Sequence, residues 1–345
     1  MGLLVSGKDK KALFKKLSET YDIYAPKRFP KEGRFSDLDL VKYAKIESFD
    51  EIEFNKKSDY PMKEVITPIQ RAILYFTEDE YRESKGPKRP ILVFCRPCDI
   101  NANVVQDRIY AQNVFSDLYY TRVRKLVKFV LMDCHGGDDT CFCVSMKSNK
   151  TDNYSLACKD NPDGSLSFEV KDKDFDSFFK GYKANEFKPE FVKSNELKLT
   201  VPEIKDKKVL NKLKEHPFWH EEFDKRCISC GACTIACSTC TCFTTKDIIY
   251  GDNPEVGERR RISASCQIDG FTTVAGGASY RKTPGDKMRY KVLHKFHDYK
   301  ARFKESHMCV GCGRCIHRCP EFISIVTTVE KMSKAIKEIE GGKKK

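Results

Sequence analysis

The amino-acid sequence predicts an α/β N-terminal domain followed by an α-helical domain that holds metal clusters. Three observations lead to this fold class. At 345 residues the chain is longer than a typical single domain. Short β-rich runs alternate with helical patterns over the first two-thirds, and two dense cysteine runs occupy the last third. We place the boundary in a lysine-rich polar stretch, which gives domains at 1–205 and 206–335 and a basic disordered tail at 336–345.

The apolar pattern predicts the first elements of the α/β domain. An amphipathic helix is expected over 8–20, where Leu13, Phe14 and Leu17 fall on one face. Residues 66–76 are apolar enough to form either a helix or a strand.

A strand–helix–strand order is predicted next. Residues 91–94 read as a buried strand, and Asp99 is a good N-cap for a following helix. A second helix is expected over 117–125 and a further strand over 126–132. The segment 149–174 is rich in turn-forming residues, which predicts a hairpin.

Two cysteine runs with the same spacing dominate the last third. They read Cys227-x2-Cys230-x2-Cys233-x3-Cys237 and Cys309-x2-Cys312-x2-Cys315-x3-Cys319. In two-cluster ferredoxins, the first three cysteines of such a run bind one 4Fe-4S cluster and the fourth binds the other. The second domain is therefore predicted to be a dicluster ferredoxin-like domain.

This spacing predicts the ligands of both clusters. The first cluster is expected on Cys227, Cys230, Cys233 and Cys319, and the second on Cys309, Cys312, Cys315 and Cys237. Gly231, Gly311 and Gly313 support the prediction, because a backbone that turns around a cluster needs positive φ and close approach without a Cβ. Zinc is the alternative metal, although zinc sites usually use separated cysteine pairs.

The interval between the runs is too long for a compact ferredoxin hairpin, and helices fit it better. Apolar residues recur at helical spacing over 291–304 and again over 325–339.

Six further cysteines lie in the first domain, and four of them could form a third site. Cys98 would lie at a helix N-terminus, Cys134 follows an apolar run, and strand alternation would turn Cys141 and Cys143 to one face. Buried core cysteines are the alternative, because free cysteine is often buried. No assignment follows from the sequence for the remaining cysteines. These are Cys95, Cys158, Cys240, Cys242 and Cys266.

The charge pattern is basic, with a formal net charge of +13. No nucleic-acid-binding motif accompanies it, so nucleic acid is not a predicted partner. Basic residues are densest over 259–304, where they would either surround the anionic clusters, dock an acidic partner or form a solvated face.

Other cofactors and compartments are not indicated. The chain has no GxGxxG and no GxxxxGK[ST], so no nucleotide site is signalled. No signal peptide or membrane span is found, and the cysteine usage requires reduced thiols. We therefore expect a cytoplasmic protein that does not bind membranes, has no substrate-converting site and relays electrons.

Several segments carry a resemblance to a known family. They are CISCGACTIACSTCTC at 227–242, GERRR at 257–261, SCQ at 265–267, AGG at 275–277 and KVLHK at 291–295. With them the chain resembles the iron–sulfur electron-transfer component of anaerobic sulfite reductases. The segments at 96–99, 117–120 and 141–146 are similar to the wider group that includes β subunits of cytoplasmic sulfhydrogenases.

The resemblance implies a third 4Fe-4S cluster on Cys98, Cys134, Cys141 and Cys143. It also implies a complex in which a flavin subunit oxidises NADH, this chain relays single electrons, and a sirohaem subunit reduces sulfite to sulfide. Ser238, where sulfhydrogenase β subunits usually have proline, and residues 145–148 favour the sulfite reductase family. The alternatives are the iron–sulfur β subunit of a NiFe (sulf)hydrogenase and a binding protein whose clusters only stabilise the fold.

Overall fold

The computed structural model describes residues 2–35, 37–134 and 137–342, and the chain divides into two compact units. Unit 1 consists of Met1–Gly137, Ser148–Ser194 and Thr244–Ile262, and unit 2 of Asp138–Lys147, Asn195–Phe243 and Ser263–Lys345. The division differs from the predicted boundary near residue 205. The chain enters unit 2 briefly at 138–147 and returns to unit 1 between the two cysteine runs.

Unit 1 contains an eight-stranded mixed sheet in the order β10-β1-β9-β8-β7-β6-β2-β3. Its strands are β1 (Gly2–Val5), β2 (Asp22–Phe29), β3 (Leu40–Lys45), β6 (Ile91–Cys95), β7 (Val127–Met132), β8 (Leu156–Asp160), β9 (Leu166–Val170) and β10 (Lys183–Ala184). The pairs β2–β6, β6–β7 and β7–β8 are parallel. All five residues of β6 are buried, as expected for a central parallel strand. The predicted strands at 91–94 and 126–132 and the predicted hairpin are confirmed.

The α-helices in the described residues of unit 1 are α1 (Lys10–Thr20), α2 (Lys63–Ile66), α3 (Pro97–Tyr110) and α4 (Leu118–Arg124). Leu13, Phe14 and Leu17 of α1 are buried, as predicted. The prediction of Asp99 as a helix N-cap is wrong, because α3 already begins at Pro97. The fixed φ of proline suits the first helical position, so Asp99 lies within the first turn of the helix and is buried.

A second sheet in unit 1 has the order β11-β12-β4-β5. Its strands are β4 (Gln70–Phe76), β5 (Tyr81–Glu83), β11 (Phe243–Ile249) and β12 (Gly257–Ser263). The sequence left 66–76 open between helix and strand, and most of it is strand β4. The expectation of helices between the cysteine runs fails for β11 and β12. Threonine and isoleucine dominate β11, and the turn residues Gly251 to Pro254 follow it, which favours a hairpin.

Unit 2 combines helices with long irregular segments. Its helices are α5 (Lys207–Lys214), α6 (Phe218–Phe223), α7 (Ala232–Ile235), α8 (Pro284–Leu293), α9 (Tyr299–Phe303), α10 (Arg314–His317) and α11 (Ile325–Gly341), with a π-helical turn over His294–Asp298. The core contains Trp219, whose indole N–H donates to the carbonyl of Leu213 at 2.8 Å. Thr283 and Asp286 form a capping box that begins α8.

The predicted disordered tail at 336–345 is wrong over its first half. Helix α11 continues to Gly341, and Ile336 is buried in the unit 2 core. Ile336 and Ile339 extend the apolar face of the helix, which explains why it does not end at residue 335. Residues 343–345 of the predicted tail lie outside the described residues.

Across the part of the chain that is described, none of the helices combines the length and apolar character needed to span a bilayer.

Candidate metal centre

The two cysteine runs fold into the same backbone shape. In each, the residue two positions after the first cysteine has positive φ: 54° at Ser229 and 64° at Gly311. A left-handed glycine then caps a one-turn helix, Gly231 (φ 75°) before α7 and Gly313 (φ 73°) before α10. The repeated sequence therefore produces a repeated loop, and the positive φ predicted at the three glycines is confirmed.

Close backbone approach explains the glycines of the second run. A Cβ on Gly311 would lie 2.6 Å from the carbonyl of Phe142, and one on Gly313 would lie 2.2 Å from the carbonyl oxygen of Thr140. The amide of Phe142 also donates to the carbonyl of Gly311 at 2.8 Å. The short segment 138–147 thus lies directly against the second cysteine loop.

The first cysteine group surrounds a cavity. Its cysteines are Cys227, Cys230, Cys233 and Cys319, and Cys315 of the second run also reaches the wall. Burial raises the pKa of the Cys227 thiol, with smaller contributions from the charges of Cys233 and Cys319. Cys230 is exposed, so this group lies near the surface of the unit.

The second cysteine group is more deeply buried. Burial raises the pKa of Cys309 to about 12, and the charges of Cys237 and Cys312 act in the same direction. Burial also raises the pKa of Cys315, again with contributions from Cys309, Cys237 and Cys312. These four thiols are therefore close enough to influence one another.

Each group combines three cysteines of one run with the fourth of the other. Such an arrangement is what two clusters need when each run shares its last ligand with its neighbour. Backbone amides point at two of the sulfurs, from Gly311 to Cys309 at 3.4 Å and from Ile323 to Cys319 at 3.3 Å. Ligation by these eight thiols stays a prediction.

Buried cations surround the thiols of unit 2. Lys287, Lys291, Lys295 and Arg314 are each less than 5% exposed, whereas no Asp or Glu among the described residues of unit 2 is buried. Lys287 pairs with the exposed carboxylate of Asp269. Lys291 and Lys295 need another source of negative charge, because lysine is almost never fully buried unless paired.

Sulfur atoms of cysteines lie close to Lys291 and Lys295. Burial would lower the pKa of Lys291, but the charges of Cys233, Cys315 and Cys240 outweigh it and raise that pKa. The same balance raises the pKa of Lys295, chiefly through Cys237. The ammonium of Lys295 donates to the Cys237 sulfur at 3.2 Å and to the Thr239 hydroxyl at 3.1 Å.

Arg314 joins the two runs. Its guanidinium donates to the hydroxyl of Ser238 at 2.9 Å, and that hydroxyl lies 3.6 Å from the sulfur of Cys312. A buried polar link therefore connects the end of the first run to the middle of the second.

Cys240, Cys242 and Cys266 lie next to these lysines. Cys266 is buried, and a hydrogen bond from Cys242, together with the charges of Lys291 and Lys295, lowers its pKa to about 5. The amide of Gln267 donates to its sulfur at 3.5 Å. These cysteines extend the polar surroundings of the two groups.

The four cysteines predicted for a third site are divided between the units. In unit 1, Cys98 lies in the first turn of α3 and Cys134 follows β7. Arg96 donates to the sulfur of Cys134 at 3.3 Å. Burial would lower the pKa of Arg96, but the charges of Cys134 and Cys98 raise it. The guanidinium of Arg96 therefore interacts with both thiols.

The other two cysteines belong to unit 2, and the strand predicted for them is wrong. Residues 141–147 form a loop and turn that bonds to the second cysteine loop instead of to a sheet. The Cys141 sulfur lies 3.7 Å from the carbonyl oxygen of Cys312, and the Cys143 sulfur lies 3.5 Å from Asn195 Oδ1. Phe142 between them is fully buried.

Cys95 and Cys158 are core residues. Both are fully buried in the strands of unit 1, and burial raises the pKa of each thiol well above its usual value. They show the properties of apolar packing residues.

Within the described ranges, no three His, Cys, Asp or Glu side chains converge tightly enough to hold a single metal ion. The first cysteine group instead lines the wall of a cavity.

Sequence reasoning missed several of these residues. Nothing in the sequence marked Arg96 and Arg314 as part of the site, apart from their positions close to the predicted ligand cysteines. The predicted basic segment included Lys287, Lys291 and Lys295. Only their four-residue spacing, which places them on one face of a helix, could have indicated that the three side chains are buried together.

Comparisons with known proteins agree with this geometry. Residues 226–323 match the family described as 4Fe-4S dicluster domain. Sulfhydrogenase 2 subunit beta of Pyrococcus furiosus is 27% identical over 338 residues, which cover 94% of this chain and 96% of that protein. No solved structure matches the chain. The chain thus contains a dicluster domain, and its resemblance to the group that includes sulfhydrogenase β subunits is confirmed.

Proposed function

We propose that this chain is the iron–sulfur electron-transfer subunit of a multi-subunit oxidoreductase. The observation that carries the proposal is the excess of buried positive charge around the thiols of unit 2. Lys287 is paired with Asp269, but Lys291 and Lys295 are buried beside thiols, and no Asp or Glu among the described residues of unit 2 is buried with them. Two clusters with four thiolates each would supply the missing negative charge.

Because the thiols are buried, they need a bound metal to become negatively charged. Without one, the raised pKa values of Cys309 and Cys315 favour the neutral thiol, and Lys291 and Lys295 would face uncharged sulfur. A coordinating thiol is deprotonated outright. Metal binding therefore satisfies the thiols and the lysines together.

When bound, each cluster supplies a centre that gains and loses one electron at a time. The chain provides the rest of the function. Its loops hold the thiols, amides of Gly311 and Ile323 donate to sulfur, and the core around Trp219 keeps water from one side of the site. We find no sign of a substrate-converting site in the sequence, so chemistry on a substrate is assigned to another subunit.

The number of clusters is the first test. We propose two in unit 2 and a third on Cys98, Cys134, Cys141 and Cys143. The support for the third is the half-buried guanidinium of Arg96, which donates to the sulfur of Cys134 and whose pKa is raised by the charges of Cys134 and Cys98. Anaerobically prepared chain should contain about twelve irons with equal sulfide for three clusters, and about eight for two. Zinc in place of iron and sulfide would contradict the proposal.

The relative favours the hydrogenase alternative for the parent complex. Sulfhydrogenase 2 subunit beta matches nearly end to end, so we infer that this chain assembles with a hydrogenase-type catalytic subunit.

One observation favours sulfite reductase as a second candidate. Ser238 stands where sulfhydrogenase β subunits usually have proline, and its hydroxyl bonds to buried Arg314 beside Cys312. Ser145 likewise accepts from the amide of Leu199 at 3.0 Å. Ser238 and Ser145, which distinguish the two families in the sequence, therefore both form hydrogen bonds in unit 2.

Isolation of the complex from its source, under strictly anaerobic conditions, separates the candidates. We expect the electron donor to be a flavin subunit and, for the first candidate, nickel in the catalytic subunit. Sirohaem absorption with sulfite-dependent NADH oxidation would instead establish the sulfite reductase. A chain whose clusters stay electronically silent when its reduced flavin partner is added would be a cluster-stabilised binding protein, and the electron-transfer proposal would be abandoned.

A further inference from the structure

Lys287, Lys291 and Lys295 form a buried stripe, each four residues after the last, along α8 and into the π-helical turn. Four residues make slightly more than one helical turn, so the three side chains leave the same face. A π-helical turn is uncommon and often marks a functional position. We refer to these residues as the lysine stripe.

The three lysines differ in what they contact. Lys287 bonds to Ser229 Oγ at 3.2 Å and pairs with Asp269, so its charge is compensated locally. Lys295 lies against Cys237, a predicted ligand of the second cluster. Lys291 lines the same cavity as Cys233 of the first group and Cys315 of the second, so it lies near thiols of both groups.

We propose that Lys295 raises the reduction potential of the second cluster alone, and that Lys291 raises the potentials of both clusters together. The inference rests on the proposed function. Each cluster takes up one electron on reduction and becomes one unit more negative, while the ammonium groups stay protonated. A fixed buried cation therefore stabilises the reduced form more than the oxidised form.

Burial makes the effect large compared with that of surface charges. Exposed lysines are screened by water and salt, whereas Lys291 and Lys295 are each only 4% exposed. Hydrogen bonds to cluster sulfurs also raise the potential, and Lys295 supplies one. Charge and hydrogen bond can be separated, because glutamine can donate to sulfur without carrying charge.

The test is a dithionite titration of the loaded full-length chain, followed by electron paramagnetic resonance at low temperature. Lys295→Met should lower the reduction potential of one cluster. At a fixed solution potential, the ratio of oxidised to reduced cluster should rise tenfold or more, and a tenfold change corresponds to about 59 mV for a one-electron couple. Lys291→Met should shift two clusters. Lys295→Gln should recover the part due to the hydrogen bond, and Lys295→Arg should stay close to the unmodified chain.

Lys282→Met is the matched control, because Lys282 lies just before α8 but is exposed. We expect no shift from it. Loaded Met and Gln variants with unchanged potentials would overturn the inference while leaving the proposed function intact. If the neutral variants lose iron and only the Arg variants load, the charges are needed for assembly instead, and the tuning inference is also overturned. Absence of iron and sulfide in the unmodified chain would contradict the proposed function itself.

Discussion

At the scale of single residues, the glycines of the cysteine loops show how a backbone requirement becomes visible in sequence. Gly313 has φ 73° and its missing Cβ leaves room for Thr140. The sequence placed glycine beside the ligand cysteines, which was enough to predict positive φ. It could not show that residues 140–142, far away in the chain, would fill the space.

Gly313→Ala should destabilise unit 2 and lower its iron content. Positive φ alone costs an alanine roughly 1–2 kcal/mol, and here a Cβ would also meet a backbone oxygen at 2.2 Å. Gly276→Ala is the control, because Gly276 has φ 85° with nothing within 4 Å of its Cβ. Thermal unfolding and iron analysis should rank Gly313→Ala clearly below the control, and equal losses would show that the contact with Thr140 does not matter.

Two buried cysteines should differ in their effect on iron content. Cys312→Ala should remove about four irons per chain, since Cys312 lies among the thiols of the second group. Cys158→Ala should keep every iron, because Cys158 packs in the core of unit 1. Iron and sulfide analysis after anaerobic preparation decides the outcome. Full iron in Cys312→Ala would remove that residue from the proposed ligands.

At the scale of elements, the periodicity of apolar residues predicted the helices and strands that have a strong apolar pattern. The helix at 8–20 and the strand at 91–94 were predicted because their apolar patterns are strong. The hairpin β11–β12 was missed, since β12 carries three consecutive arginines and looks like a basic surface segment. Their charges are compensated by residues distant in sequence, such as Asp117 for Arg261 at 2.7 Å.

Helix α11 provides a prediction about the chain's C-terminal segment. Ile336→Ala should lower the free energy of unfolding of unit 2 by about 2–4 kcal/mol, because it deletes a buried side chain. The adjacent exposed Lys337→Ala should change it by less than about 0.5 kcal/mol. Chemical denaturation followed by tryptophan fluorescence suits the measurement, since Trp219 lies in the same core. Indistinguishable midpoints would mean that α11 does not pack as described.

At the scale of the whole molecule, we expect the two units to depend differently on the proposed clusters. The cores of unit 1 consist of sheet and helix residues, whereas Cys227, Cys309 and Cys315 pack against the core of unit 2. Removing iron with a chelator should therefore unfold mainly unit 2, because metal binding contributes directly to folding in such domains. Hydrogen exchange should show loss of protection in α8 and α11 and retention in β6 and β7. Uniform loss throughout the chain would contradict this division.

Cluster assembly should also depend on pH. Burial raises the pKa values of Cys309 and Cys315, so both thiols keep their protons in the metal-free chain. The protonated thiols favour the folded state, and this contribution to the stability of the metal-free fold is lost as the pH rises through the raised pKa values. Iron must displace these protons, so apparent metal affinity should increase with pH. Reconstitution at several pH values, with proton release measured in weak buffer, tests the sign. Affinity that falls with rising pH would contradict it.

The sequence by itself was enough to predict 4Fe-4S clusters, because ligand spacing is a local property: three cysteines within seven residues are typical of a loop around a cluster. Only the tertiary structure decided which charges accompany the thiols. Lys291 and Lys295 look like ordinary surface lysines in the sequence, and Arg314 like any charged neighbour. Their burial depends on how α8 packs against loops distant in the chain, and the energy of a buried charge depends on every group around it.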